Sequence, residues 1–413
     1  MNTSRRPLGL GLLLLTSILP LSADDWPQWR GPGRDGVSAE TGLLKEWPTN
    51  GPQGVWVAAG LGRGYSSVSV VGDRVYTMGD GPEHSFVHAL DGKAKGKILW
   101  STKVGLPGGS YPGTRSTPTV DGDHLYVLGQ WGDLLCLQAA DGKEVWRKSL
   151  KEDLKGKMMS GWGYSESVLV DGNQVICTPG GEGGTLAALH KKTGEVLWRS
   201  KDLTDRAAYS SVIKVEIGGV PQYIQFTDAS VAGVAPADGK LLWRAPRRGS
   251  TAVIPTPIYK DNHVFVTSGY GVGCNLFRID STGGKFSATE VYANKDFANH
   301  HGGVVLIGDH LYGHSDSRGW ICMEMKTGKV KWTHAGVGKG AVAAADGMLI
   351  CRSERGKGVI ALVQATPDGY RELGRFNQPE RSTKESWPHP VIANGRLYIR
   401  DQDSLICFNL RAR

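Results

Sequence analysis

Apolar positions in this chain fall in short alternating runs, and no stretch of useful length carries helical spacing. "SSVSVVGDRVYTMG", "STPTVDGDHLYVLG", "SESVLVDGNQVICTPG", "PTPIYKDNHVFVTSG", "GGVVLIGDHLYGHS", "GAVAAADGMLICRS" and "PHPVIANGRLYIRD" each hold two β-rich runs. In most of them a Gly-Asp, Asp-Gly or Asn-Gly turn separates the runs, which is hairpin chemistry. An eighth such unit lies between Tyr209 and Asp228, with "EIGGVPQ" as its turn. Behind the hairpins comes a second, more stereotyped turn: "KGKILW", "ADGKEVW", "KTGEVLW", "ADGKLLW" and "KTGKVKW" all place Trp four residues after Gly. Each unit therefore reads strand, tight turn, strand, loop, strand, Gly turn, strand.

The aromatics set the count. Trp100, Trp146, Trp198 and Trp243 recur every 46, 52 and 45 residues, and Trp332 follows after 89, two periods on. Tyr292 fills that gap, Phe376 continues the series and Trp56 precedes it. Eight units of four antiparallel strands predict an all-β, eight-bladed β-propeller. The chain closes on "SLICFNLRAR", a third strand, while "GVWVAAG" around Trp56 is a surplus fourth. The N-terminal strand is thus expected to complete the last blade and remove two open edges. The eight aromatics read as structural docking groups on the outermost strands, covering the seams between blades.

These Asp/Thr-Gly-x-x-x-Trp units resemble the PQQ (pyrroloquinoline quinone) repeat of the quinoprotein alcohol dehydrogenase-like propellers, over essentially the whole mature chain. The opening "DWPQWRGPGRDGVS" also resembles the segment that exported members carry before blade one. The family includes calcium-dependent quinoprotein dehydrogenases. It also includes non-enzymatic members such as the propeller lipoprotein of the outer-membrane β-barrel assembly machinery. The resemblance implies either a binding or scaffold module or a PQQ- and Ca²⁺-dependent oxidoreductase of alcohols or sugars. This chain has no adjacent Cys pair, no CxxCH and no residue-by-residue calcium set, so the scaffold is the preferred reading and no catalytic residue is transferred.

Residues 1–23, "MNTSRRPLGLGLLLLTSILPLSA", read as a secretory signal peptide, with 24–55 an N-terminal extension and 56–413 the propeller. Export to the periplasm or the extracellular space is expected, with no lipid-anchor Cys and no membrane span. Loss of Arg5 and Arg6 leaves 46 basic against 40 acidic residues, too scattered for a nucleic-acid face. The six Cys sit in apolar runs without CxxC spacing and read mostly as small buried hydrophobes, with pairing between strands left open. A monomer is expected.

Function belongs on the face that carries the longer, varied loops. Arg63, Tyr65, Arg115, Trp162, Tyr164, Glu166, Tyr209, His300, His301, Lys339, Trp387 and His389 lead into the innermost strands and are expected at one funnel mouth. Aromatic slabs beside Arg, His and carboxylates suit a flat quinone, a sugar or a peptide. The partner is accordingly a protein or a glycan, with PQQ and Ca²⁺ possible but not assured. His300 and His301, adjacent on an extended strand, are expected to point to opposite faces. Glu166, Asp316 and Asp403 are the candidate Ca²⁺ oxygens.

Overall fold

The computed structural model describes residues 25–111 and 113–412; the expected signal peptide lies outside the described residues. Among the described residues there is no helix, and the strands form eight four-stranded antiparallel sheets, one extended by a short fifth strand. Blade one is Ser69–Val71, Arg74–Asp80, Ser85–Asp91 and Lys97–Gly105, ordered from the axis outward. Six further blades repeat this order. The eighth joins Val391–Ala393, Arg396–Asp401 and Ser404–Asn409 to Gly54–Ala58 from the start of the chain. Trp56 opposes Cys407 and Ala58 opposes Leu405, so the ring is closed by hydrogen bonds between its two ends. All six Cys are free and buried.

The repeated Gly-x-x-x-Trp has two physical roles. Its Gly sits at positive φ, between 70° and 75° at Gly96, Gly142, Gly194, Gly239 and Gly328, which lets the third strand turn tightly into the fourth. The same Gly seats the aromatic of the preceding blade. A Cβ on Gly96, Gly142, Gly194 or Gly239 would lie 2.4–2.8 Å from the ring of Trp56, Trp100, Trp146 or Trp198 respectively. The last blade lacks a covalent third turn, and there Gly51 of the N-terminal segment takes the same place beneath Phe376.

Seam hydrogen bonds accompany the stacking. Trp56 Nε1 donates to Gly92 O (3.0 Å), Trp146 Nε1 to Lys191 O (2.8 Å) and Trp198 Nε1 to Pro236 O (3.0 Å). Tyr292 Oη donates to Met325 O (2.7 Å), and Trp332 Nε1 to Thr366 O (2.8 Å). Trp243 departs from the pattern and donates to Gln222 within its own blade (2.6 Å). Just before the aromatic the ladder skips one residue, as between Ile98 and Trp100 or Glu144 and Trp146. This β-bulge re-aims the strand, leaving Leu99 and Val145 exposed while the aromatic turns inward.

Residues 25–38 enter the centre of the ring. Trp26 pairs with Val70 of blade one, Pro27 O accepts from Val120 N of blade two, and Val37–Ser38 runs parallel to Gly340–Ala345 of blade seven as the fifth strand. The segment turns back at Arg30, Gly31, Arg34 and Gly36, all at positive φ. Beyond it, Leu44 N and Trp47 N bond Leu410 O and Leu373 O, leading the chain outward to the closing strand.

Candidate functional site

The N-terminal segment crosses the ring beside the site, from blade one to blade seven. Its two arginines are buried and hold its turn by backbone carbonyls of blades three and six. Arg34 Nη2 and Nη1 donate to Ser167 O (2.6 Å) and Val168 O (3.2 Å), and Arg30 Nη2 donates to Val304 O. Arg30 Nη1 also lies 3.4 Å from His389 Nδ1. Gly303, at φ 70°, gives room for this, because a Cβ there would meet Arg30 Nη1 at 2.2 Å and His389 Cε1 at 2.5 Å. Burial lowers both guanidinium pKa values to about 10, so they stay charged at neutral pH. Trp29, anchored by Nε1 to Thr256 Oγ1 (3.0 Å), tilts against His389 at 4.6 Å and contributes the floor of a pocket.

That pocket, about 280 Å³, lies on the long-loop face, and the segments leading into all eight innermost strands reach it. Tyr65, Arg115, Trp162, Tyr209, His300, His301, Lys339, Glu385 and Trp387 line it together, joined by Tyr270, Glu354 and Arg355 from outer loops. One wall is a continuous row of rings. Tyr270 meets His300 edge-on at 4.5 Å, His300 lies 3.6 Å from His301, His301 stacks on Trp387 at 4.2 Å, and Trp387 stacks on Tyr65 at 4.2 Å. The histidine rings are therefore neighbours on one wall, not on opposite faces as strand alternation would place them. The reason is local: residues 299–303 form no strand, and Gly303 bends the chain.

The remaining expected residues sit elsewhere. Arg63 lines the adjoining grooves over the seam between blades eight and one. Tyr164 is buried in the interblade core and donates to Pro179 O (3.0 Å). Glu166 is buried and accepts from Thr178 N and from Thr178 Oγ1 (2.7 Å). Burial raises its pKa to about 7. His389 lies beneath the wall, its Nε2 2.8 Å from His301 O. Trp29 and Tyr111 were not among the expected residues; the first belongs to the extension and the second to the connection between blades one and two, ahead of the lead-in motif.

Two of the pocket's three lining cations meet carboxylates, and the third, Arg115, is held by backbone carbonyls. Lys339 Nζ lies 3.0 Å from Asp316 Oδ1 and 2.7 Å from His300 Nδ1. Arg355 reaches Glu354 (3.7 Å) and Glu385 (3.6 Å), while Arg115 donates to Trp162 O (2.9 Å) and Tyr111 O (2.8 Å). Burial first, then the neighbouring His301 and Lys339, push His300 below the ordinary imidazole range; burial, then Lys339 and Arg115, push His301 below it, so both rings are neutral at neutral pH.

The calcium-quinone pair that the resemblance implies does not fit this donor set. Among the described residues no three His, Cys, Asp or Glu converge on a metal position. Glu166 is engaged by Thr178, Asp316 by Lys339, and Asp403 by Gly60 N (2.9 Å) and Gly62 N (2.7 Å). Cations and rings that could face a flat carboxylate are present, but the oxygen ligands are not, so no oxidation step is derived.

Comparison with known proteins adds the following. The profile of the family described as outer membrane protein assembly factor BamB matches residues 83–334. An outer membrane protein assembly factor BamB from Kangiella koreensis is 27% identical over 184 residues, 43% of this chain and 42% of that protein. Its namesake from Shewanella oneidensis is 24% identical over 253 residues, 57% of this chain and 60% of that protein. The matched region thus spans about half the length of these relatives. Quinohemoprotein alcohol dehydrogenase from Comamonas testosteroni superposes with a TM-score of 0.65 at 13% identity, covering 94% of this chain and 81% of that one, a likeness of fold alone.

Proposed function

Since the chain belongs to the family described as outer membrane protein assembly factor BamB, a repeat propeller, we propose that it is a non-catalytic binding module that scaffolds a protein partner on its long-loop face. One observation carries this reading: all eight blades converge on a ring-walled pocket whose cations are held by carboxylates or backbone carbonyls. A concave, largely aromatic surface with a few placed polar groups is how proteins hold a ligand. Rigid rings also supply contact area at low entropic cost. The names of the relatives support a partner in outer membrane protein assembly. The charged, apolar and small-residue order of residues 1–23 supports work outside the cytoplasm, in the periplasm or beyond.

The test is site-specific photo-crosslinking in the native cell. A crosslinker at Tyr111 or Tyr270, exposed on the long-loop face, should capture one discrete protein, whereas one at Leu197, exposed on an outer strand, should not. The reading fails if Leu197 captures the partner and the pocket positions do not. It also fails if the purified protein with added PQQ and Ca²⁺ turns over an alcohol in a dye-linked assay.

A further inference from the structure

We propose that the axial pocket takes a free α-amino acid in its zwitterionic form, with an aromatic or other apolar side chain. This ligand goes beyond the scaffold reading: it is a small molecule at the axis, bound whether or not a protein docks on the surrounding rim.

Volume and walls set the size. A pocket of about 280 Å³ lies at the small end of ligand sites and suits a molecule of amino-acid dimensions. An arc of five rings lines it. Tyr65 stacks on Trp387 at 4.2 Å, and Tyr111 tilts against Trp387 at 5.6 Å. Tyr111 also meets Trp162 edge-on at 6.4 Å, and Trp162 tilts against Tyr209 at 6.3 Å. Such a wall takes a flat apolar side chain by burial and ring contact.

Charge decides what the rest of the ligand carries. Arg115, Lys339 and Arg355 line the pocket with Glu354 and Glu385, and Asp316 pairs with Lys339 at 3.0 Å. These groups balance in number but not in place. Arg355, largely exposed, serves two carboxylates from a distance, 3.7 Å from Glu354 and 3.6 Å from Glu385. The neutral His301 ring has its Nδ1 3.6 Å from Glu354. All three contacts exceed hydrogen-bond length, so this side keeps a negative excess and carboxylate oxygens short of donors. Arg115 is the converse. Half-buried, it spends two of its five N–H groups on the carbonyls of Trp162 and Tyr111, and among the described residues no carboxylate reaches it at ion-pair distance. Both poles are felt at one hydroxyl: burial raises the Tyr65 pKa, Glu385 adds to the rise and Arg115 opposes it. A lone cation would face the guanidinium, and a lone anion the two glutamates. A zwitterion answers both, its carboxylate pairing with Arg115 and its ammonium giving three N–H donors to Glu354 and Glu385. A quaternary ammonium has no N–H to give and would leave the glutamates unsatisfied.

The test is calorimetric titration of the full mature chain with L-phenylalanine, L-tyrosine, L-tryptophan and L-leucine. At least one should bind saturably, with its N-acetyl derivative, its amide and its trimethylated betaine each about tenfold weaker or more. Glu385→Gln should narrow the gap between the amino acid and its N-acetyl derivative. Arg115→Gln should narrow the gap between the amino acid and its amide. A merely structural effect would move both members of each pair alike. Glu385 is partly exposed and held only by the distant Arg355, so the melting curve of Glu385→Gln should match the parent. No saturable binding by any of the four, a blocked derivative that binds equally, or an unchanged gap in either folded variant overturns the proposal. Full affinity for the N-acetyl form with loss in the amide is the pattern of a polypeptide C-terminus and overturns it too. Protein capture at Tyr111 is a separate measure: if it persists while no amino acid binds, the zwitterion site alone is lost.

Discussion

Substituting Ala for Gly239 should disrupt the seam between blades three and four, and the cost can be worked from geometry. Gly239 has φ 75° and Gly122, in a first-to-second strand turn, has φ 58°. A Cβ at Gly239 would lie 2.4 Å from Trp198 Cε3, whereas one at Gly122 meets nothing within 4 Å. Both substitutions bear the left-handed backbone penalty of roughly 1–2 kcal/mol. Only Gly239→Ala must also displace an indole, an overpacking cost of about 1–3 kcal/mol. Moving the ring strains the Trp198 Nε1 bond to Pro236 O, a further ~1 kcal/mol. Urea titration followed by far-ultraviolet circular dichroism should therefore show Gly239→Ala roughly 2–4 kcal/mol more destabilising than Gly122→Ala. In a Trp198→Leu background that excess should mostly vanish, a coupling readable from the double-mutant cycle. Equal losses for the two glycines, or no coupling to Trp198, would refute the claim that each turn seats its neighbour's aromatic.

Other consequences follow the same physics. Burial holds His314 near pKa 4; around it Asp316 and Glu354 act to raise the value and Lys339 to lower it. Burial, with Arg30 beside it, holds His389 near 3. Both folded values lie below the unfolded one, so their stabilisation is complete above about pH 6.5 and is lost as pH falls toward 4, on the order of 3 kcal/mol each. Glu166, raised to about 7, runs the other way: its contribution is complete below about pH 4.5 and is lost as pH rises through 7. The two rings outweigh it, so the urea midpoint should drop between pH 6.5 and 4, and His389→Gln should flatten that fall. Ellman's reagent should find no rapidly reacting thiol in the native protein and six after unfolding, because every Cys is free and buried. Trp56→Ala should cost about 3–5 kcal/mol by opening the closing blade, while exposed Val57→Ala beside it stays within about 0.5 kcal/mol, both read from urea midpoints.

The fold was legible because one chemistry repeats. A Gly that must turn and an aromatic that must be seated recur at blade period, so even Tyr292 and Phe376 could be placed by phase. The double use of the Gly was hidden, since the ring it seats belongs to the preceding blade. The mouth was readable to the extent that lead-in residues share a phase: Tyr65, Arg115, Trp162, Tyr209, His300, His301, Lys339 and Trp387 line one pocket. Tyr164, Glu166 and His389 share that phase but their side chains lie inside, because near a strand's start one residue decides between mouth and core. The bend at Gly303 cancelled the alternation argument for the two histidines. Trp29 was out of reach: nothing in "DWPQWRGPGRDGVS" outside its own segment shows that its arginines match carbonyls across the ring.

The central claim is that the first described residues floor the pocket and hold the ring from within. Hydrogen exchange read by mass spectrometry on peptides covering 25–40 tests it most directly. Trp26 N bonds Val70 O and Gly36 N bonds Arg30 O inside the ring, so these amides should exchange as slowly as those of the innermost strands. Exchange at the rate of an unstructured tail, with the blades still protected, would contradict it.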